Sequence, residues 1–167
     1  MAFFVRTATP LDREAIRAVE RAAFPTAAEA DLVDALERDG DVTLSLVVEV
    51  GGEVVGHLLC SRMVADADGQ ALDAWALGPI AVRPERQGEG MGGAMTWEAI
   101  ARAEAAGAQI MFVLGEPDYY GRFGFRAEAA APFDSPYAGP YWMARWLGEP
   151  TEVRSGRARH AGAFARL

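Results

Sequence analysis

Gly78-Pro79-Ile80-Ala81-Val82-Arg83-Pro84-Glu85-Arg86-Gln87-Gly88-Glu89-Gly90-Met91-Gly92-Gly93 is the stretch around which the chain is organised. An apolar run ends at Val82, a proline-containing turn follows, and a glycine-rich loop opens into a helix beginning near Met91. Glycines let a backbone turn tightly and approach a ligand with no Cβ in the way. The first helical turn has amide hydrogens without intrahelical acceptors, and the helix dipole adds partial positive charge there. Such a loop is suited to a phosphate or pyrophosphate.

Two patterns overlap on these glycines. Gly88-x-Gly90-x-x-Gly93 matches the dinucleotide fingerprint, with Glu116 at the distance expected of a ribose-binding acid. That fingerprint places its first glycine directly after the strand, whereas Arg83 to Gln87 intervene here. The chain left after it is too short for the second half of a doubly wound fold, so NAD chemistry is disfavoured. The second pattern, Val82-x-Pro84-Glu85 followed by Gln87-x-x-Gly90-x-Gly92, resembles the pyrophosphate loop of the GNAT acetyltransferase superfamily.

Working outward, Leu72 to Val82 reads as the third strand of an antiparallel meander. The other two are Val42–Val50 and Val54–Met63, with hairpin turns expected at Gly51-Gly52 and Asp66 to Gly69. Before the meander, Phe3 to Thr7 suggests a short strand. Thr9-Pro10 is a helix start and Phe24-Pro25 its stop, and a second helix is expected over Glu29 to Arg38. After the loop, a helix from Met91 to Ala106 and a strand over Gln109–Leu114 form a strand–helix–strand unit, hence a parallel pair. Asp118 or its neighbours begin a short helix broken at Gly124, and Tyr141 to Trp146 reads as a later strand. The fold class is therefore α/β (α+β), a mixed sheet with helices on both faces.

The 167 residues suit one domain, 1–167, with 146–167 as a tail packing on the core. A net charge of −8 disfavours nucleic acid and tilts toward cationic partners such as amines. All 16 basic residues are arginine and there is no lysine or asparagine, a bias expected of a GC-rich, bacterial genome. No apolar run is long enough to span a bilayer, and the first residues lack a signal-peptide layout. With one cysteine, Cys60, a cytoplasmic location is the expectation. No histidine–carboxylate spacing suggests a metal.

The resemblance to GNAT enzymes extends to Tyr120-x-x-Phe123-Gly124-Phe125, similar to the segment that closes the GNAT core. Val55-Gly56-His57, Leu77-Gly78-Pro79, Val113-Leu114-Gly115 and Ser155-Gly156-Arg157-x-Arg159-x-x-x-Ala163-Phe164 resemble the YhbS-like branch of predicted N-acetyltransferases. The resemblance covers Val5 to Phe164. It implies a splayed sheet with acetyl-CoA wedged between the strands ending at Val82 and Leu114. It further implies direct acetyl transfer to a primary amine, a small molecule or a peptide, in a ternary complex.

The chemistry of that transfer assigns residues. Ile80, Ala81 and Val82 offer backbone groups to the pantetheine arm and thioester, and Gln87, Gly88, Glu89, Gly90, Met91 and Gly92 offer amides to the pyrophosphate. Tyr120 is the candidate acid for the leaving thiolate, with Tyr119 structural. The base is left open among Asp73, Glu116, Asp118 and water. His57, among apolar strand neighbours, reads as packed or surface-pointing rather than as a base, and Cys60 as unreactive. Arg154, Arg157 and Arg159 read as a solvated face rather than as phosphate ligands. The acceptor is expected near Phe24 to Ala30 and Phe133 to Tyr141. A homodimer is a further expectation, and the alternative function is a non-catalytic acyl-CoA-binding sensor or interaction module.

Overall fold

The computed structural model describes residues 2–167. Its contacts divide into two compact units, residues 2–60, 78–99 and 162–167, and residues 61–77 and 100–161.

The first unit contains β1 (Phe4–Thr7), α1 (Arg13–Ala23), α2 (Ala28–Arg38), β2 (Val42–Val50) and the opening part of β3 (Glu53–Ala67). It also holds the end of β4 (Gln70–Val82) and the start of α3 (Met91–Ala105). The β-branched run of β2 favours extended backbone, and β1 pairs with it antiparallel, Phe4 opposite Glu49 and Thr7 opposite Leu46. Gly51 and Gly52 turn the chain into β3 with φ of 58° and 81°, the positive values a two-residue hairpin requires. Pro10–Asp12 form a short 3-10 turn that feeds α1. The Asp12 carboxylate accepts the Thr9 amide at 2.7 Å and both terminal nitrogens of Arg6 at 2.8 Å, tying the helix entry to β1. Beside that fork, Asp12 is held well below the usual carboxylate range, at about 2, chiefly by Arg6. The helix ends at Phe24, which is extended ahead of Pro25 as residues before proline are. Ile16 and Val19 on α1 and Leu32, Val33 and Leu36 on α2 are buried.

The second unit takes the rest of β3, β4 and α3, and adds β5 (Ile110–Leu114), α4 (Pro117–Tyr120), α5 (Ala127–Ala130), β6 (Phe133–Asp134), β7 (Trp142–Trp146) and β8 (Gly156–Arg159). Asp68 and Gly69, at φ of 49° and 84°, make the turn from β3 to β4. The strand–helix–strand expectation holds: β4 and β5 are parallel, Ala74 opposite Ile110 through Leu77 opposite Val113. Across β5, β7 runs antiparallel, with Phe112 opposite Ala144. Phe112 stacks on Trp142 at 4.7 Å and meets the edge of Phe133 at 5.1 Å. Alanines 65, 74, 76, 144 and 158 surround these rings, so small strand residues make the room that large ones fill.

Among the described residues, eight strands form one mixed sheet in the order β1-β2-β3-β4-β5-β7, with β8 on β3 and β6 on β8. Beyond the sequence expectation, the chain adds α5 and the short strand β6, and two further strands differ from it. Strand β3 continues past Met63 to Ala67, and the tail contributes β8, antiparallel to Val64–Ala67 and parallel to Phe133–Asp134. Alanine, glycine and arginine carry weak strand preference, so only the pairing partner makes Gly156–Arg159 extended. Gly156 is required there, since a Cβ would lie 2.7 Å from Phe133 Cδ1 and 2.8 Å from Asp66 O. Among the described residues no helix is long and apolar enough to cross a membrane.

Candidate active site

In the first unit, Ile80, Ala81 and Val82 finish β4, and the stretch of Gln87 to Gly92 follows after Arg83 and one short turn. The β4–β5 register stops at Leu77, immediately before Gly78 and Pro79. Proline has no amide hydrogen to give a ladder, and Gly78 has φ 130°, outside the range of ordinary residues. A single 3-10 turn, Pro84–Arg86, then aims the chain into the loop. The loop is braced from within: Gln87 Nε2 donates to Val82 O at 3.0 Å, and the Gln87 amide to Pro84 O at 3.4 Å. Gln87 thus shapes the loop with both its side chain and its backbone.

Gly88 and Gly90 have φ of 83° and 86°, and a Cβ on either would meet nothing within 4 Å. The space over the loop is open, and glycine keeps it so. The first bond of α3 runs from Ala94 N to Gly90 O at 3.0 Å, leaving the amides of Met91, Gly92 and Gly93 without helical acceptors. Glu89 is 3.6 Å from Arg86, which offsets its charge locally. Sequence reasoning passed over Arg83, whose Nε is buried with no hydrogen-bond partner. A cationic residue at the mouth of a glycine loop was the available signal.

Tyr120 lies in the second unit, at the end of α4, where the chain leaves β5 through Gly115. Its ring packs edge-on against Tyr119 at 4.9 Å and against Phe125 at 6.0 Å. Burial, with a smaller contribution from Tyr119, pushes the Tyr120 phenol up to about 12. The hydroxyl therefore keeps its proton across the neutral range. Gly124 turns the chain after it with φ 90°, the break expected there. Of the base candidates, Glu116 and Asp118 share this segment with Tyr120 and are exposed. Asp73 does not: its amide pairs with Gln109 at 2.8 Å, at the start of β5. The length of β5, roughly 15 Å at about 3.3 Å per residue, separates it from the Tyr120 segment.

The remaining candidates have other partners. His57 is fully buried, its ring nitrogens 2.9 Å from Glu20 Oε2 and 3.0 Å from Ser45 Oγ. A glutamate on the apolar stripe of Ile16 and Val19 was the sequence signal for that pair. Cys60 is buried, and burial raises its thiol far above the reactive range. Arg159 is held by Asp134 at 2.7 Å, while the backbone amides of Arg154 and Ser155 donate to Asp68 at 3.2 and 2.9 Å. Among the described residues no group of three or more His, Cys, Asp or Glu is placed to hold a metal.

A mixed sheet whose glycine loop joins a strand to the helix crossing over to its parallel neighbour is the arrangement found in acyl-CoA-dependent acetyltransferases, and the family match makes this chain one of them. The chain belongs to the acetyltransferase (GNAT) domain family, which matches residues 5–127. The uncharacterized N-acetyltransferase YjhQ of Escherichia coli K12 is 39% identical over 161 residues, 90% of this chain and 87% of the relative. Among solved structures, the GNAT family N-acetyltransferase YhbS of E. coli in complex with CoA is similar at TM-score 0.89 and 28% identity, covering 99% of this chain and 93% of the other. A GNAT family acetyltransferase of Brucella melitensis in complex with acetyl-CoA is similar at TM-score 0.81 and 33% identity, with 98% of each covered.

Proposed function

We propose that this chain transfers the acetyl group of acetyl-CoA directly to a primary amine. The observation that carries this reading is the cradle of Gly88 to Gly92, where glycine conformations hold open a volume that a Cβ would fill beside unpaired helix-start amides. Arg83 Nε, buried and unpartnered, adds a cationic donor of the kind a phosphate oxygen satisfies. E. coli YhbS and the Brucella acetyltransferase, bound to CoA and acetyl-CoA, support the same ligand for this chain.

Acetyl-CoA supplies an acetyl thioester, which an amine nitrogen displaces from sulfur. The amides of Gly88 to Gly92 bind and orient the pyrophosphate, with Gln87 holding the loop in shape. Backbone groups of Ile80, Ala81 and Val82, beyond the last residue of β4 that pairs with β5, orient the pantetheine arm and the thioester carbonyl. Tyr120 donates the phenolic proton to the departing sulfur, a role its raised pKa preserves by keeping the hydroxyl loaded. Glu116, Asp118 or solvent takes the amine proton. Holding two reactants in line accounts for much of the acceleration in such a reaction.

Isothermal calorimetry combined with a thiol-release assay over a panel of amines, amino acids and peptides tests this. Micromolar binding of acetyl-CoA, no binding of NAD and turnover with at least one amine are expected. Binding of acetyl-CoA without turnover on any amine points to the acyl-CoA-binding module instead, and absence of CoA binding removes both.

A further inference from the structure

A second cluster of reactive side chains lies in the first unit. Ser45 on β2, His57 on β3 and Glu20 on α1 stand in line: Ser45 Oγ is 3.0 Å from His57 Nε2, and His57 Nδ1 is 2.9 Å from Glu20 Oε2. A carboxylate oxygen accepts, so Nδ1 carries the hydrogen and Nε2 is left to accept from the Ser45 hydroxyl. Nucleophile, base and orienting carboxylate in this order and at these distances make up the arrangement that activates a serine.

Packing does not call for it. Glu20 and His57 are both fully buried, and Glu20 Oε1 has no hydrogen-bond partner, which costs stability that an apolar pair would not. Ser45 is less enclosed than its partners and lines a cavity of about 300 Å³ that also touches Thr9, Arg13, Ile16 and Glu37. The cavity is at the small end of ligand pockets. Arg13, which lines the cavity and has Asp34 at 4.0 Å, supplies a cation for a developing oxyanion. Glu37 balances its charge, so the cavity suits an uncharged ligand.

We propose that Ser45 is the nucleophile of a separate hydrolytic site for small, neutral carboxylic esters. Ser45 Oγ bonds to the acyl carbon as the ester C–O bond breaks. The serine proton passes to His57 Nε2 and on to the departing alcohol. Water then attacks the acyl-serine, gives its proton to His57 Nε2, and releases the carboxylic acid as Ser45 regains its hydrogen. Glu20 acts by holding the imidazole.

The test is labelling with a small fluorophosphonate probe, read by intact mass and peptide mapping, alongside hydrolysis of p-nitrophenyl acetate. Wild-type protein should gain one adduct, on Ser45. Ser45→Ala should gain none and lose the esterase rate. Glu20→Gln preserves shape but changes what Nδ1 meets, and should slow labelling by roughly ten-fold or more with the melting temperature monitored in parallel. Should Glu20→Gln not fold, wild type against Ser45→Ala decides the assignment. No adduct on Ser45, labelling elsewhere only, or equal labelling rates in folded Glu20→Gln would each overturn the proposal.

Discussion

The ring of Tyr120 occupies the volume that a side chain on Gly115 would need: a Cβ there would overlap Tyr120 Cε2 and lie 2.7 Å from Cδ2. Space is what demands glycine at this position. Replacing Gly115 by alanine forces the Tyr120 ring to rotate or the segment after β5 to shift, because a half-buried ring flanked by Tyr119 and Phe125 has little slack. For Gly115→Ala, kcat should fall by roughly ten-fold or more while acetyl-CoA affinity changes little, as expected when a transition-state contact is misplaced. Combined with Tyr120→Phe, the loss should not exceed that of Tyr120→Phe alone, and steady-state kinetics of the three variants read this directly. Additive losses would show that Gly115 acts apart from Tyr120.

Tyr120→Phe keeps the ring and removes the donor. Turnover should drop by about 10²-fold or more in kcat and kcat/KM alike. Acetyl-CoA binding should change by less than about 1 kcal/mol, the order of one hydrogen bond. Because burial raises the phenol to about 12, the wild-type rate should show no alkaline loss assignable to Tyr120 between neutrality and pH 10. A thioester with a more acidic thiol should narrow the gap between the two enzymes. Wild-type kcat in Tyr120→Phe, measured where chemistry limits the rate, removes this residue from the mechanism.

Gly90→Val tests the cradle. The position has φ 86°, which a β-branched residue adopts only under strain, and its added carbons would enter the open space over the loop. Acetyl-CoA binding by calorimetry should be lost, while β5, β7 and the rest of the second unit keep their amide-exchange protection. Retained micromolar affinity would place the pyrophosphate elsewhere.

Acid stability should depend on His160. Burial lowers this imidazole from 6.5 to about 4, beside the rings of Tyr137 and Trp142. The unfolded chain therefore takes up a proton near pH 6.5 that the folded one refuses until about pH 4, so stability falls over that window as pH drops. Urea titrations should show a loss of roughly 2–3 kcal/mol between pH 7 and 4.5 attributable to this group. His160→Phe should flatten that part of the profile. Asp12 acts lower: its depressed pKa gives stability present above 3.8 and lost as pH falls through about 2. An unchanged slope in His160→Phe would assign the acid loss to other groups.

What the sequence made legible is what is local along the chain. Gly51-Gly52 fixes a hairpin through backbone conformation alone, and the run from Val82 to Met91 carries strand, loop and helix start in ten residues. Distance along the chain hid the rest. Nothing in Ser155 to Arg159 announces a strand, because its extended form comes from partners at Val64–Ala67 and Phe133–Asp134. The apolar neighbours of His57 leave a packed or a surface-pointing ring open, and the ring is packed. Its partner Glu20 lies 37 residues away, so the pair needed the α1 contact to be seen. Gly115 gave no sign either, since its requirement comes from a ring five positions on and not from its own dihedral angles.

The pairing of β8 with β3 sets a clock during synthesis. Val64 meets Arg159 and Ala67 meets Gly156, so this edge of β3 must wait for about 90 further residues to be made. At a bacterial or eukaryotic pace of about 5–20 residues per second, the wait is roughly 5–20 s. Throughout it, Val64–Ala67 presents unpaired backbone, the condition under which strands join the wrong neighbour. Aspartates 66 and 68 in and beside that edge are well placed to discourage such encounters, charge being a common guard on open strands. A nascent chain that stalls before Gly156 would thus be the form of this protein most in need of a chaperone.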